Sequence, residues 1–242
     1  MDVTRSISGV FEDERWVEKI GIGSLIMIVP ILNFAAIGYQ VRVVRHVVSG
    51  SAPEMPDWDD FLGLWQEGLW IGLARALYSL PFFVILGGAS FVGLPLLVLL
   101  GRDSESAWIP LFLVCGASAL LMISYGAVLG ILGPAILGTY ARKGTFSACF
   151  DVPEFFRLIG RYPSAYLTLW LAILAMGILY VTASVAVLLP VGLIPFLGQA
   201  LLPLLQSAGL FLIMLVQAFL IGQWLRADEK SEAASSPGDA SL

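Results

Sequence analysis

The fold is decided by residues 162–225, YPSAYLTLWLAILAMGILYVTASVAVLLPVGLIPFLGQALLPLLQSAGLFLIMLVQAFLIGQWL, which contain no Asp, Glu, Lys or Arg. A transmembrane helix needs about 20 apolar residues to cross about 30 Å of hydrocarbon, so this stretch has room for two crossings. Helix breakers at its centre are Pro190, Gly192 and Pro195. The sequence therefore predicts two helices here, Ser164–Leu189 and Phe196–Leu225.

Three further segments are free of charged residues. Residues 76–101 and 107–141 each have room for one crossing, and Ile20–Val41 is a fifth hydrophobic segment. Leu94–Leu100 lacks the alternation of apolar and polar residues that is typical of a transmembrane barrel strand. The sequence therefore predicts an all-α integral membrane protein with about five hydrophobic helical segments.

The composition of the whole chain agrees with a location in lipid. Of the 242 residues, 58% are apolar and 13% are charged, and the mean hydropathy is +0.88. A soluble domain is about 45–50% apolar and about 25% charged, so a soluble enzyme is excluded. The chain also lacks the basic patch that would predict nucleic acid binding.

The basic residues indicate how the chain is oriented. Eight of them lie in residues 42–68, 142–161 and 226–242, whereas Arg102 alone lies in the alternate connections. Because cytoplasmic loops carry an excess of Lys and Arg, we expect the eight to face the cytoplasm. The sequence therefore predicts a multi-pass protein with a cytoplasmic C-terminus.

A short pattern of glycine, an aromatic residue and arginine closes three of the hydrophobic segments. It occurs at residues 38–42, 138–142 and 222–226, with Arg four residues after Gly each time. At this spacing the arginine could reach lipid phosphates while the aromatic ring marks the membrane boundary. The predicted interfacial anchors are Tyr39, Arg42, Tyr140, Arg142, Trp224 and Arg226.

A second pattern follows the first two copies, at residues 57–61 and 151–155. Each has Asp, an acid three residues later and then Phe, which resembles an acidic capping box at the start of a short helix with one apolar face. We expect both helices to lie in the membrane interface. The predicted helix caps are Asp57, Asp60, Asp151 and Glu154. The alternative is a metal site built from Asp57, Asp59, Asp60, Glu67 and His46, but capping explains two of the acids and the chain has a single histidine, so we expect no metal and no cofactor.

Together the two patterns define repeat units at about 57–142 and 151–226, preceded by a shortened N-terminal unit. Residues 1–19 are predicted to be an amphipathic interfacial segment, 20–226 a polytopic membrane domain, and 227–242 a disordered polar tail. A shortened unit would make Ile20–Val41 a re-entrant hairpin that turns near Pro30 and Asn33. The alternative is a single full span.

Glutamines mark one face of the last hydrophobic helix. They are spaced by 7 and 11 residues, which places them on one side of a helix, and they are Gln199, Gln206 and Gln217. Polar residues in a membrane helix either hydrogen-bond between helices or line a path for a solute. We favour hydrogen bonding, and both interpretations stay open.

The N-terminal third resembles a known family. The residues that carry the resemblance are Ile28–Phe34, Gly38-Tyr39, Arg42, Gly50, Pro56–Phe61 and Gly68-Leu69. They are similar to the signature of bacterial and archaeal membrane proteins catalogued as domain of unknown function 4013, specifically over Trp16–Leu69 and diffusely to Leu225. The resemblance implies a polytopic protein of a prokaryotic cell membrane, and it transfers no catalytic residue.

The sequence contains no grouping of nucleophile, base and orienting residue that would predict catalysis. We expect a non-catalytic scaffold or accessory subunit whose interfacial helices contact membrane lipid headgroups, a membrane-protein partner or a second copy of the chain. The alternative is a transporter that carries a small or lipid-like solute through a crevice between the repeat units. An enzyme that acts on lipids is the third hypothesis.

Overall fold

The computed structural model describes residues 3–51, 55–100 and 108–235, and nearly all of the regular structure in these ranges is α-helix. The helices are α1 (Val3–Phe11), α2 (Trp16–Ile28), α3 (Asn33–Ser49), α4 (Phe61–Leu100), α5 (Trp108–Lys143), α6 (Val152–Arg161), α7 (Pro163–Gly192) and α8 (Leu197–Ser235). A short 3-10 helix, Phe146–Phe150, lies between α5 and α6. The predicted all-α fold class is confirmed.

Four helices are long and apolar enough to cross a membrane. Their apolar parts are Phe61–Gly93, Phe112–Lys143, Pro163–Gly192 and Gly198–Glu229. Large apolar side chains along them are exposed, such as Phe83 (66%) and Phe112 (79%). An apolar surface of this extent is unfavourable in water and favourable in hydrocarbon, so the protein is an all-α membrane protein.

Residues 20–41 form parts of two helices, with a break in the helical backbone between them. α2 ends at Ile28, and Val29 has an extended backbone (φ −94°, ψ 115°) because the ring of the following Pro30 disfavours the helical conformation. α3 begins at Asn33. The turn that the sequence predicts near Pro30 and Asn33 is therefore present, and whether residues 20–41 form a re-entrant hairpin or a full span stays a prediction.

The described residues divide into two compact units along the chain. The smaller unit, Leu73–Gly133, contains parts of α4 and α5. Within it, the Tyr125 hydroxyl donates a hydrogen bond to the backbone carbonyl of Tyr78 over 2.8 Å, and the rings of Phe82 and Tyr125 meet edge to face at 5.0 Å. The aromatic residue Tyr125 therefore joins the two helices of this unit.

The larger unit contains residues 1–72 and 134–242, and α8 contributes much of its core. α8 contacts α1, α2, α3 and α7. Phe211 and Phe219 are buried, and their rings lie against Gly23 of α2 and Gly9 of α1. Small residues on the N-terminal helices thus allow α8 to pack closely.

The predicted repeat differs between its two copies in helix boundaries. α6 is a separate short helix because Tyr162 precedes Pro163 and leaves the helical conformation (φ −136°, ψ 68°). The corresponding segment after Asp60 continues without a break into α4, whose first proline is Pro81. The prediction of a separate interfacial helix before the first span is therefore wrong, since nothing between residues 61 and 80 interrupts the helix.

The C-terminal boundary also differs from the prediction. α8 continues to Ser235, so the prediction of a disordered tail from residue 227 is wrong for residues 227–235. Asp228 is only 2% exposed and pairs with two arginines, which holds this part of the helix. Residues 236–242 of the predicted tail lie outside the described residues.

Candidate functional site

A group of arginines on α3, α5 and α6, here called the basic cluster, lies within the larger unit. Its members are Arg42, Arg45, Arg142, Arg157 and Arg161. On α3, Arg42 pairs with Asp60 at 2.6 Å and with Glu67 at 3.3 Å, and Arg45 pairs with Glu67 at 2.7 Å. Arg45 also donates a hydrogen bond from Nε to the carbonyl of Ala141 over 2.9 Å, which joins α3 to α5.

The other half of the basic cluster surrounds one buried carboxylate. Asp228 of α8 accepts hydrogen bonds from Arg142 over 2.8 Å and from Arg161 over 3.0 Å. Arg142 also donates to the carbonyl of Leu225 over 2.9 Å. A buried charge is tolerated only when it is paired and hydrogen-bonded, so these contacts fix the ends of α5, α6 and α8 to one another.

The predicted interfacial anchors do not form a lipid-facing ring. Tyr39, Tyr140 and Trp224 are all buried within the protein. Tyr39 stacks on Trp58 at 4.3 Å and Trp224 packs against Tyr166 at 5.0 Å, because the protein interior offers these rings more contact than the headgroup layer does. The prediction is wrong for these three aromatic residues.

The three arginines of the same pattern differ in the groups that they contact. Arg42 and Arg142 form the ion pairs described above, so their guanidinium groups bind carboxylates in the structure, and their role as interfacial anchors stays a prediction. The guanidinium group of Arg226 lies near Gly50. Its role as an interfacial anchor stays a prediction.

The glycines of the pattern mark close approaches between helices. A Cβ atom added at Gly38 would collide with the backbone carbonyl of Leu64. Gly68 of α4, which is outside the pattern, faces the same contact, since a Cβ atom there would collide with the carbonyl of Phe34. A Cβ atom at Gly222 would lie 2.6 Å from the Cβ atom of Val47. Gly38 and Gly222 of the pattern therefore lie where helices pack closely against each other.

Two of the predicted helix caps accept the expected hydrogen bond. Asp151 Oδ1 accepts from the backbone N–H of Glu154 over 3.2 Å at the start of α6. Asp60 Oδ1 accepts from the backbone N–H of Gly63 over 3.1 Å at the start of α4. Glu154 was predicted as a cap, but its carboxylate accepts two hydrogen bonds from Arg157.

Asp57 is not a helix cap, and that prediction is wrong. α4 begins at Phe61, too far along the chain for Asp57, and the carboxylate of Asp57 lies 3.1 Å from Lys19 Nζ. Lys19 is 3% exposed and also pairs with Asp13 at 2.8 Å and donates to the carbonyl of Met55 over 2.9 Å. Because the buried ammonium group of Lys19 requires carboxylate partners, Asp57 pairs with Lys19 and does not cap α4.

The acids proposed for a metal site are distributed between different ion pairs. Asp57 pairs with Lys19, whereas Asp60 and Glu67 pair with Arg42. In the part of the chain that the structure describes, no group of three or more His, Cys, Asp or Glu residues is arranged to hold a metal ion.

The three glutamines of α8 lie in different environments. Gln199 and Gln206 are exposed, and Gln217 is half-buried. The Tyr180 hydroxyl donates to the backbone carbonyl of Gln206 over 3.1 Å, and the two residues line a mostly apolar groove of about 650 Å³ between α7 and α8. Within residues 3–51, 55–100 and 108–235, the side-chain amides of the three have no hydrogen-bond partner, so the interhelical bonds that we favoured are not formed there.

α6 carries apolar residues on two sides. Phe155 and Leu158 are buried against the protein, whereas Phe156 is 62% exposed and Val152 is also exposed. The N-terminal acids are ionised readily, because a hydrogen bond from Lys143, supported by the N–H of Glu154, lowers the pKa of Asp151. A hydrogen bond from Arg157 likewise lowers the pKa of Glu154. The helix is thus fixed at both ends while it presents an apolar residue outward.

Comparison with known proteins places the chain in a family. The family described as protein of unknown function (DUF4013) matches residues 22–191, which is more than half of the chain. The chain belongs to the DUF4013 family. No curated protein and no solved structure matches it.

The family match in this DUF4013 protein covers the basic cluster but not all of its partners. Residues 22–191 include α3, α4, α5 and α6 with all five arginines of the cluster. Lys19 precedes the matched range and Asp228 follows it. No short sequence pattern signals these contacts, since the Met55 carbonyl lies 36 residues from Lys19 and Arg142 lies 86 residues from Asp228.

Proposed function

We propose that this DUF4013 protein is a non-catalytic scaffold or accessory subunit of a prokaryotic cell membrane. In this proposal α6 contacts lipid headgroups or a partner at the cytoplasmic surface. The observation that carries the proposal is the combination of a fixed helix and an exposed ring. Asp228 holds Arg161 at the end of α6, while Phe156 is 62% exposed.

The basic cluster supports a cytoplasmic location for α6. Its arginines lie near the start of α4 and the end of α5, where the helices leave the apolar layer. An excess of Arg and Lys favours the cytoplasmic side of a membrane. We therefore place the basic cluster and the C-terminus in the cytoplasm.

The contacts of the α2–α3 hairpin support a re-entrant arrangement. Lys19 near the start of α2 contacts Met55 and Asp57, which precede α4, and Arg42 of α3 contacts Asp60 at the start of α4. Both arms of the hairpin are therefore joined to the residues that precede α4.

The tip of the hairpin lies deeper along α4. Phe34, just after the turn, lies against Gly72 of α4. Gly72 is 11 residues from Phe61, or about 17 Å along the helix, which is roughly half of a 30 Å hydrocarbon layer. We therefore infer that the hairpin enters and leaves on the cytoplasmic side.

Purification from native membranes at low detergent tests the scaffold proposal. The wild type should retain a stoichiometric protein or a defined set of lipids, and Phe156→Ala should lose it. Phe112→Ala is the matched control, because Phe112 is also an exposed ring and lies on α5, away from α6 in the sequence. Identical sets of retained proteins and lipids in the wild type and both variants would contradict the proposal.

A transporter is the second candidate function. The groove between α7 and α8, which contains Tyr180, Ser184 and Gln206, is the observation that favours it. Polar groups beside an apolar surface could bind a lipid-like solute. The groove lies within one helical hairpin, whereas the sequence suggested a crevice between repeat units.

A further inference from the structure

A cavity of about 520 Å³ lies beside the basic cluster, within the larger unit. Small-molecule sites typically occupy about 300–1,000 Å³, so the cavity is large enough for a small ligand or a lipid headgroup. Its charged lining residues come from four helices and are Arg45, Arg142, Glu154, Arg157 and Glu229. On α6, Glu154 and Arg157 line the cavity, and the exposed Phe156 does not.

Two carboxylates outside the cavity are each shared between two arginines. Glu67 is shared by Arg42 and Arg45, and Asp228 is shared by Arg142 and Arg161. For the pair Arg42 and Arg45, Asp60 supplies a second carboxylate. For Arg142 and Arg161, the second carboxylate is that of Glu229, which pairs with Arg142 and lines the cavity.

The ion pair between Arg142 and Glu229 is long and partly exposed. Glu229 Oε1 lies 3.6 Å from Arg142 Nε, and the Glu229 side chain is 46% exposed. Arg142 Nε is buried and has no hydrogen-bond partner in the part of the chain that the structure describes. A buried guanidinium N–H without an acceptor is unfavourable, so this edge of Arg142 is suited to a stronger acceptor than Glu229.

A second guanidinium has donor capacity left beside the cavity. Arg45 uses Nε for the Ala141 carbonyl and Nη1 for Glu67. Its Nη2 group has no hydrogen-bond partner among the described residues. Arginine presents its donors in a planar fork that matches the oxygens of a phosphate group, and bonds of this kind are short and strong.

We propose that this cavity binds a phosphate group through Arg45, Arg142 and Arg157, and that the phosphate replaces Glu229 as the acceptor for Arg142. The phosphate belongs either to a phospholipid headgroup or to a free phosphate compound. Glu154 stays paired with Arg157 at 2.6 Å and does not compete for Arg142. This proposal goes beyond the scaffold function, since it concerns the cavity lined by Arg157 and needs no contact at Phe156.

Thermal unfolding of the purified protein in detergent tests the proposal with two phosphate-bearing probes, each compared with its own control. Inorganic phosphate is compared with chloride at equal ionic strength, and phosphatidylglycerol in mixed micelles is compared with diacylglycerol, which lacks phosphate. At about 100 times Kd, we expect a phosphate-bearing probe to raise Tm by about 5–10 °C. A rise with the lipid alone assigns a headgroup, and a rise with inorganic phosphate assigns a free compound.

Four variants separate binding in the cavity from general charge effects. Arg157→Gln should raise Kd about tenfold or more, whereas Arg15→Gln makes the same charge change at an exposed site and should leave Kd unchanged. Glu229→Gln should lower Kd about fivefold, because it removes the competing carboxylate. Val48→Trp should abolish the rise in Tm by filling the cavity without altering a charge.

The opposite signs expected for Arg157→Gln and Glu229→Gln cannot arise from misfolding of either variant. The proposal is overturned if no phosphate-bearing probe raises Tm above its control. It is also overturned if Arg157→Gln and Arg15→Gln weaken binding equally. Neither result depends on whether a partner is retained by Phe156, so a failure here is distinct from a failure of the scaffold proposal.

Discussion

Arg142 of α5 and Asp228 of α8 lie 2.8 Å apart, although 86 residues separate them along the chain. Asp228 is almost completely buried and also binds Arg161 of α6. One carboxylate therefore holds three helices together at the end where α6 is attached. This contact connects the fold to the proposed function, because the position of α6 depends on it.

Replacing Asp228 with Asn should destabilise the protein strongly. Two arginines would lose their shared counter-charge, and removing one partner from a buried ion pair costs about 3–5 kcal/mol. We expect Tm in detergent to fall by more than about 5 °C. Asp59→Asn is the matched control, since Asp59 is exposed, and it should change Tm little.

A fall in Tm for Asp228→Asn no greater than that for Asp59→Asn would mean that the buried carboxylate does not hold the three helices.

Adding one methyl group at Gly38 should separate α3 from α4. The new Cβ atom would collide with the carbonyl of Leu64, and backbone cannot move aside as a flexible side chain can. Overpacking of this kind typically costs about 1–3 kcal/mol, so Gly38→Ala should lower Tm. Gly21→Ala is the control, because open space surrounds Gly21 in α2.

Alanine is favoured over glycine within a helix, so Gly21→Ala should leave Tm unchanged or raise it. Equal Tm values for the Gly38 and Gly21 variants would contradict the close approach of α3 and α4.

The cap at Asp151 should make the stability of α6 depend on pH. The hydrogen bond from Lys143, together with that from the Glu154 N–H, lowers the pKa of Asp151 below its ordinary value of 3.8. A carboxyl group with a lower pKa in the folded state stabilises that state fully above its unfolded pKa. This contribution is lost as the pH falls through the folded pKa.

Asp151→Asn isolates this effect, because Asn still caps a helix but carries no charge. The wild type should be the more stable protein at pH 7, and the difference in Tm should shrink as the pH falls below about 4. A difference that stays constant between pH 7 and pH 3 would contradict the role of the Asp151 charge.

The parts of the structure that the sequence predicts are those that depend on neighbouring residues. Charge-free runs indicate the four long helices, Pro30 marks the hairpin turn, and Asp151 marks the start of α6. Each signal acts within a few residues of its own position. The sequence reading failed at Asp57, because its partner Lys19 lies 38 residues earlier and no local rule identifies that contact.

The site was harder to predict than the helices for the same reason. An arginine at a helix end is expected to reach lipid, and only the folded chain brings Asp60 to Arg42 and Asp228 to Arg142. By sequence alone, the aromatic residues of the glycine, aromatic and arginine pattern fit a membrane boundary as well as they fit a protein core. Their burial depends on the packing of α8, which local pattern does not specify.

Whether water reaches the groove at Gln206 distinguishes the scaffold hypothesis from the transporter hypothesis. A path for a solute must be wet, whereas a groove on a scaffold is filled by lipid chains. Gln206→Leu should leave Tm unchanged or raise it, because the amide has no hydrogen-bond partner among the described residues to lose. Stability therefore does not distinguish the two functions, and accessibility does.

Cysteine labelling measures that accessibility directly. In a Cys115→Ala, Cys149→Ala background, Gln206→Cys is treated with a membrane-impermeant thiol reagent in membranes open on both sides. Leu179→Cys, an exposed apolar position of α7, is the lipid control, and Ser49→Cys at the end of α3 is the water control. A lipid-filled groove excludes the charged reagent, since bringing it into hydrocarbon costs several kcal/mol. We expect Gln206→Cys to label as slowly as Leu179→Cys, whereas labelling as fast as Ser49→Cys would establish a wet groove and favour the transporter.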